Sequence, residues 1–317
     1  MGNILVSTIT PCFRMKPYLK LFLEDLPNQT MFESLEIVLD HNEPDEEEIS
    51  WVREFQAKYP GRIKHIIIPK VDPIGTSMNR CIKEASGEYV TIWNVDDLRT
   101  SNSIELQYKA LVGNPEVGLA YGDFMVVRKF GSKEGRLYDH HKFSKEELTR
   151  SMITGPFYMF RKSLCETAGY FDEQMKQGPD YDLSVRLCFN TKAVCVDGNL
   201  GYYLNENKGA STRPGSLQPI DKVIIELRYG IFDKLDYRYL APALTYSIDR
   251  IYQFGQAYSV SSFVPNYKEL LLERGRLWAD KGVVKYLFKR YSGYEILRNF
   301  LKTIIKGFFK KINFKYY

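Results

Sequence analysis

Apolar runs of strand length alternate with stretches of helical spacing along the first half of the chain. Residues 3–9 (NILVSTI) form a β-branched run closed by Thr10-Pro11, the pattern of a buried parallel strand that ends in a loop. Leu19, Phe22, Leu23 and Leu26 then share one helical face, with Pro27 as the stop. LEIVL at 35–39, an acidic helical stretch near 45–58, the run Ile63–Ile68, a helical stretch near 76–85 and the strand Tyr89–Trp93 follow in turn. Val117–Val127 and Ala193–Val196 read as further strands, and Ser144–Arg150 reads as a helix start, with Ser144 and Glu147 spaced as a capping box. This alternation predicts βαβ units, hence an α/β fold with a mainly parallel sheet. Beyond Pro214-Gly215 glycine becomes sparse and helical periodicity takes over, so the organisation of the chain changes there.

In open α/β sheets, ligands bind beyond the carboxyl ends of the strands. Pro11, Asp40 and the pair Asp96-Asp97 each stand just past such a predicted end. Two neighbouring carboxylates repel unless solvent or a cation relieves them. Hard oxygen ligands of this kind suit Mg²⁺ or Mn²⁺, and a solvated strand-end turn is the plain alternative.

Composition adds bounds. With 317 residues, 44% hydrophobic and 26% charged, the chain can bury a full core and resembles an ordinary globular protein. Five scattered cysteines (Cys12, Cys81, Cys165, Cys188, Cys195), odd in number and without a CxxC pair, argue for reduced buried thiols rather than a disulfide framework or a zinc site, and so for a cytoplasmic setting. The opening MGNILVSTITPCF has no basic segment before an apolar one, so it does not read as a secretory signal, and Val6 departs from the myristoylation pattern. No apolar run reaches the roughly 18 residues that span a bilayer, which leaves only peripheral membrane contact.

The net charge of +5 is unevenly placed: residues 281–317 hold ten Lys/Arg against one acid, Glu295, and the rest of the chain is at −4. A basic tail on an acidic body is not the footprint of a nucleic-acid binder. Leu297, Phe300, Leu301, Ile304, Ile305, Phe308 and Phe309 recur at helical spacing among these cations. Such a helix across 297–311 suits an anionic membrane surface, or a docking face on the main domain or a second subunit.

Five blocks carry a family resemblance: TPCFR at 10–14, IVLDHNEPD at 37–45, IGTSMNRCIKEASGEYVTIWNVDD at 74–97, GYFDE at 169–173 and DYDLSVRL at 180–187. In this order and spacing they resemble the family 2 nucleotide-sugar glycosyltransferases of the GT-A fold, over roughly residues 3–213. The resemblance implies a GT-A (Rossmann-like) mainly parallel sheet flanked by helices at 1–213, and a mainly helical region with a basic tail at 214–317. It also implies inverting transfer from a nucleoside diphosphate sugar, UDP-linked by expectation, to a glycan or lipid-linked acceptor with Mn²⁺ or Mg²⁺. The expected place is the cytoplasm or the inner face of its membrane.

Matched position by position, Thr10 and Pro11 approach the nucleotide and Asp40 accepts a hydrogen bond from its base. Gly75 and Asn79 open a helix that faces the nucleotide. Met78 stands where the family usually has Arg; the neighbouring Arg80 either substitutes for it or, turned by about 100°, faces solvent. In Asn94-Val95-Asp96-Asp97 an amide takes the place of the first acid of the metal motif. Asn94 is then a ribose contact, Asp96 the metal ligand, and Asp97 a second ligand or a support behind it. Asp180 matches the catalytic base, with Pro179 where Glu is usual, although Asp180 or Asp182 could instead cap a helix; Asp182 is expected near a helix N-terminus or a basic neighbour.

Gly155 falls in the acceptor-lining region or in a tight turn, and Lys208, Ser211, Thr212 and Arg213 fall in a loop that closes over the diphosphate. His41, His65, His140 and His141 lack metal-ligand spacing and are expected at surface or loop positions. Met78, Asn94 and Pro179 leave room for another class, a carbohydrate- or partner-binding protein without turnover. A nucleotidyltransferase is disfavoured by the lack of a Gly-rich activating loop near the N-terminus.

Overall fold

The computed structural model describes residues 3–138 and 152–206, and beyond them positions 148, 218, 221, 225, 228, 229, 250–253 and 256–259. The chain divides into two compact units, Met1–Ser216 and Leu217–Tyr317.

The first unit is a nine-stranded sheet with helices between its strands. Its parallel half consists of β1 (Val6–Phe13), β2 (Leu35–Asn42), β3 (Ile63–Ile68) and β4 (Tyr89–Ile92), in spatial order β3-β2-β1-β4. The connecting helices are α1 (Lys16–Asp25), α2 (Glu46–Lys58) and α3 (Ile74–Glu84). After β5 (Leu98–Arg99) and α4 (Ser103–Val112), the other half mixes directions: β6 (Val117–Val127) pairs antiparallel with β7 (Gly135–Tyr138) and β8 (Met159–Arg161), and parallel with β9 (Lys192–Leu204). β8 joins the halves by pairing antiparallel with β4, and β5 closes the far edge on β9. Two helices, α5 (Cys165–Ala168) and α6 (Pro179–Asn190), precede β9.

Local chemistry accounts for most of these elements. α1 buries Leu19, Phe22 and Leu23, and Phe22 meets Trp93 edge-on at 5.5 Å between ring centroids. α2 opens with a full capping box: the Glu48 amide donates to Asp45, and the Asp45 amide donates to Glu48, both at 2.9 Å.

β1 and β2 run further than the apolar runs suggest. β1 continues through Pro11 to Phe13, and Asp40 lies inside β2 as the register partner of Pro11. The reason is the parity of the ladder. Ile9 accepts from the Trp93 amide at 3.1 Å, so Ile9, and Pro11 two residues on, face the β4 side, where pairing has already ended at Ile92. A proline there forfeits no ladder bond.

His41 and His65 overturn the expectation of surface or loop positions. They lie on the adjacent strands β2 and β3, with His41 fully buried and the two rings joined by a 3.2 Å Nδ1–Nε2 hydrogen bond. Burial pushes both down to about 4. His140, His141 and all of the Ser144–Arg150 helix except Leu148, which is helical, lie outside the described residues.

In the second unit, β10 (Arg250–Gln253) and β11 (Gln256–Ser259) pair antiparallel, a strand pair that helical periodicity does not suggest, while positions 218, 221, 225 and 228 are helical. The basic stretch 297–311 lies outside the described residues. Among the described residues no helix is long and apolar enough to cross a membrane. All five cysteines are free thiols, with Cys12, Cys81, Cys165 and Cys188 buried.

Candidate active site

β1 connects onward to β2 on one side, whereas β4 lies on the other, so the strand order reverses between β1 and β4. Open α/β sheets bind ligands in the crevice at such a reversal. Pro11 faces this gap, and the turn 93–97 hangs from the end of β4 beside it.

The turn is held together by its own side chains. The Asp97 amide donates to the Asn94 carbonyl at 3.1 Å, and the Trp93 indole N–H donates to the Asp97 carbonyl at 3.0 Å. Asn94, the amide in place of an acid, donates through Nδ2 to Asp97 at 3.2 Å, and the Leu204 amide donates to the other Asp97 oxygen at 3.0 Å. Asp97 is therefore engaged on both oxygens and buried; burial first, and the Asp96 charge second, push its pKa well above the usual carboxylate range. Asp96 is only partly buried. Its pKa is raised as well, mainly by burial and then by a carboxylate that no sequence motif marks, Glu206.

Glu206 arrives through β9. Leu204 is tied to Asp97, the Asn205 amide donates to the Val127 carbonyl at 2.8 Å, and Arg128 donates to the Asn205 carbonyl at 3.2 Å. The Glu206 carboxylate then accepts from the Tyr18 hydroxyl at 3.2 Å. Nothing in YYLNENK marks this residue, because its position depends on how far β9 runs beside β6.

Behind the turn lies Arg99, buried and stacked between the rings of Trp93 (5.6 Å to the centroid) and Phe157 (5.1 Å). It donates to Thr91 (2.6 Å), to the Ile92 carbonyl (2.9 Å), to Gln107 (3.0 Å) and to the Phe157 carbonyl (3.2 Å). Burial lowers its pKa to about 9, opposed by the Asp97 charge. Arg99 thus ties the acidic turn to the 152–158 segment from inside the core.

Asp40 is completely buried, and its carboxylate accepts from Ser77 and Asn42 on one oxygen and from Arg80 on the other, each at 2.6 Å. Arg80 also pairs with Asp72. Arg80, read from the sequence as a substitute cation or a solvent-facing residue, is instead held in an ion pair with Asp40 and Asp72. The cause is packing: α3 lies against β1 and β2, so its residue 80 reaches the Asp40 side chain.

Gly75 and Asn79 turn to the GYFDE segment. A β-carbon on Gly75 would sit 2.9 Å from the Asp172 carbonyl oxygen and the Glu173 Cα, so only glycine admits this approach. Asn79 bonds both backbone groups of Phe171 and donates to Glu173 at 2.9 Å, and Thr76 donates to Glu173 at 3.0 Å. Two of the five sequence blocks thereby grip each other, and the second leads directly into α6.

Asp180 occupies the first turn of α6, where Gly178 is the N-cap, so neither Asp180 nor Asp182 caps the helix. The Asp180 carboxylate accepts from the Tyr181 amide at 2.9 Å, and burial raises its pKa to about 6. The Tyr158 hydroxyl donates to the Asp180 carbonyl at 3.0 Å. Tyr158 precedes β8, whose Met159 pairs with Thr91, and so hangs at the carboxyl end of β4, the end that carries the Asn94–Asp97 turn. Asp182 is fully buried in a two-point pair with Arg186, at 2.8 Å each.

Thr10 is buried and shares a 3.0 Å hydroxyl contact with Thr8. Gly155 closes a turn, its amide donating to the Met152 carbonyl at 3.1 Å, with a left-handed φ of 63° that disfavours any side chain. Lys208, Ser211, Thr212 and Arg213 lie outside the described residues.

The donor chemistry at Asp96 fits a hard divalent cation. Its carboxylate is raised by burial with a second carboxylate nearby, a surplus of negative charge that a cation would relieve. No trio of His, Cys, Asp or Glu gathers as a metal cage among the described residues. Mg²⁺ and Mn²⁺ sites often take one or two protein carboxylates and complete their shell with phosphate and water.

A sheet with this strand reversal and acids at its carboxyl edge defines an α/β protein of the GT-A type. The chain belongs to glycosyl transferase family 2, whose family model matches residues 7–169. It is 24% identical over 183 residues to a chondroitin synthase of Pasteurella multocida, a match covering 58% of this chain and 19% of that protein. An uncharacterized glycosyltransferase of Methanocaldococcus jannaschii is 25% identical over 202 residues, covering 60% of this chain and 67% of the relative. The chain thus matches about a fifth of the synthase and two thirds of the archaeal protein.

Among solved structures, S. aureus TarS 1-349 in complex with UDP is similar at a TM-score of 0.56, with 15% identity, over 77% of this chain and 73% of that one. Mannosyltransferase PcManGT from Pyrobaculum calidifontis, in complex with GDP-Man and Mn²⁺, is similar at 0.53, with 15% identity, over 98% and 89%.

Proposed function

We propose that this chain is an inverting, metal-dependent glycosyltransferase that moves a sugar from a nucleoside diphosphate sugar, UDP-linked in the first instance, to a glycan or lipid-linked acceptor. The observation that carries the reading is the suspension of Asp180 from Tyr158 at the same end of β4 that bears Asp96. A carboxylate acceptor of protons and a cation-binding carboxylate then border one crevice. Family membership, a relative named chondroitin synthase, and similar folds bound to UDP, UDP-GlcNAc or GDP-Man with Mn²⁺ support the same reading.

In this mechanism Asp180 takes the proton of the acceptor hydroxyl as that oxygen attacks the anomeric carbon opposite the departing diphosphate. A base with a pKa of about 6 is anionic at neutral pH and still a competent proton acceptor. Asp96, with Glu206 beside it, would hold the divalent cation, and that ion would neutralise charge on the leaving diphosphate. Arg80, Asn42 and Ser77 fix the Asp40 carboxylate beneath the nucleotide end of the crevice. Association of 297–311 with an anionic membrane belongs to the same proposal and would bring the site to a lipid-linked acceptor.

The reading as a binding module rested on Met78, Asn94 and Pro179. Arg80 provides a cation beside Asp40, and Glu206 a carboxylate near Asp96, which weighs against a dismantled site.

The test is calorimetric titration of UDP, GDP and dTDP with and without Mn²⁺, alongside Mn²⁺ binding followed by electron paramagnetic resonance, for wild type, Asp96→Asn, Glu206→Gln and Asp180→Asn. Metal-assisted nucleotide binding is expected in wild type and Asp180→Asn, with weaker metal affinity in the other two and transfer lost in Asp180→Asn. Nucleotide binding indifferent to Mn²⁺ in every variant would refute the metal assignment, and equal transfer by Asp180→Asn and wild type would refute the base.

A further inference from the structure

Among the described residues, two other than glycine hold a left-handed backbone: Arg14 at φ 56° and Glu43 at φ 51°. Each is the first residue past a strand, and the strand ends they follow, Phe13 of β1 and Asn42 of β2, are register partners. The two strained residues therefore stand side by side on the carboxyl edge of the sheet, next to the β1/β4 crevice. In this conformation the β-carbon crowds the following carbonyl, and glycine or asparagine would be more comfortable. Strain of this sort gathers at functional sites, where the surroundings enforce it.

Glu43 has a structural account. Its amide donates to the Ile68 carbonyl at 2.8 Å, and its carboxylate accepts from the Val71 amide at 3.4 Å, which anchors the segment leading into α3. Arg14 has none. It is exposed, no described carboxylate lies within ion-pair distance of it, and its guanidinium rests over the neighbouring Phe13 ring at 4.8 Å. Two further cations near this edge are committed elsewhere, Arg80 to Asp40 and Asp72 and Lys16 to Asp45 and Glu47. A charged side chain is thus kept uncompensated in a costly backbone conformation at the mouth of a site that must receive an anion.

We propose that Arg14 is a donor-binding residue whose guanidinium contacts the diphosphate of the nucleotide, at a standing cost to the stability of the fold. The proposal rests on the donor reading of this crevice given above. A planar guanidinium offers paired donors that match phosphate oxygens, and the Phe13 ring beneath it limits the freedom it must lose on binding.

The trade predicts opposite signs for two measurements. Arg14→Lys keeps charge and strain, Arg14→Ala keeps only strain, and Arg14→Asn removes charge and relieves strain. UDP affinity, measured by calorimetry in Mn²⁺, should fall about tenfold or more in the Ala and Asn variants and less in the Lys variant, as a charge-assisted bond is lost. Affinity for uridine, followed by ligand-observed NMR, should stay within about twofold of wild type in all three. The Asn variant should melt about 2–4 °C above the Ala variant, the size expected for relieved strain in a domain of this length.

UDP binding by Arg14→Asn equal to wild type would overturn the assignment, as would a parallel fall in uridine affinity, which would mean the contact is not with the diphosphate. An Asn variant no more stable than the Ala variant would overturn the proposed cost. Absence of nucleotide binding by wild type would overturn the donor reading together with this one, whereas a wild type that binds and an indifferent Arg14→Asn would sink the Arg14 role alone.

Discussion

Asn79 grips Phe171 from both sides of its peptide unit: Nδ2 donates to the Phe171 carbonyl at 3.0 Å, and Oδ1 accepts from the Phe171 amide at 2.8 Å. These two hydrogen bonds join α3 to the segment that leads into the helix of Asp180. Asn79→Ala strands two buried backbone groups and is expected to cost about 2–4 kcal/mol by chemical denaturation. Asn79→Asp keeps the size but loses the donor, and should also lower kcat at temperatures where the protein is fully folded. An undiminished kcat in the folded variant would separate this clasp from the placement of Asp180.

With Asp180 as the proposed base, its pKa, pushed up by burial to about 6, should set the acid limb of activity. The carboxylate must be deprotonated to act, so kcat/KM should be level above neutral pH and fall tenfold per pH unit well below 6. A limb centred near 4 would mean that a different, solvated carboxylate is the base.

The hydrogen-bonded pair of buried His41 and half-buried His65 gives the fold its own pH dependence. Both are held neutral, down to about 4, while an unfolded histidine takes a proton near 6.5. As pH falls from about 6.5 to 4 the unfolded chain binds protons that the folded chain refuses, so stability drops through that window. Asp180 runs the other way, since its raised pKa favours the folded state at low pH. The histidine effect is therefore read as the difference in slope between wild type and His41→Gln/His65→Gln, which should be shallower. Histidine NMR titrations giving values near 6.5 would refute the burial argument.

Arg99 and Asp97 are buried titratable groups that both meet Trp93, Arg99 over its ring and Asp97 through its indole N–H, and burial moves both pKa values toward the neutral forms. Arg99→Met should cost about 3–5 kcal/mol, because Asp97 loses its buried counter-charge and five acceptors lose their donor. If the charges interact, adding Asp97→Asn should recover part of that, with a coupling of about 1–3 kcal/mol in the double-mutant cycle. Strictly additive effects would show that the two groups are held independently.

Removing Arg80 leaves Asp40 without a cation at full burial, and Arg80→Ala should lower stability by about 3 kcal/mol or more and weaken nucleotide binding. Arg80→Lys keeps the charge but cannot fork between Asp40 and Asp72, so it should recover only part of either loss. Full recovery would mean that the bridge to Asp72 contributes nothing.

Much of the fold is visible in single runs of residues. Val117–Val127 is a strand from end to end, and the α1 face is the one that Leu19, Phe22 and Leu23 announce. β9 is visible only in its first part. Gly122 pairs with Val196 and Asp123 with Asn199, so Asp197 and Gly198 bulge out of the ladder, and their polarity hides the strand's continuation to Leu204. That hidden stretch is what brings Glu206 to Asp96.

Sequence alone determined the alternating strands and helices of the first hundred residues, the acids near the carboxyl edge and the five blocks that mark the family, because each element depends on residues a few positions apart, whereas the β10/β11 pair lay in a stretch of helical periodicity. The tertiary structure decided what those residues hold: Asn94 donates to Asp97, Arg80 pairs with Asp40, and Asn79 holds Phe171. Register and helix packing bring together groups that lie tens of residues apart, Asp97 and Leu204 among them. Burial at those meetings then sets which carboxylates stay ionised, and no local stretch of sequence carries that information.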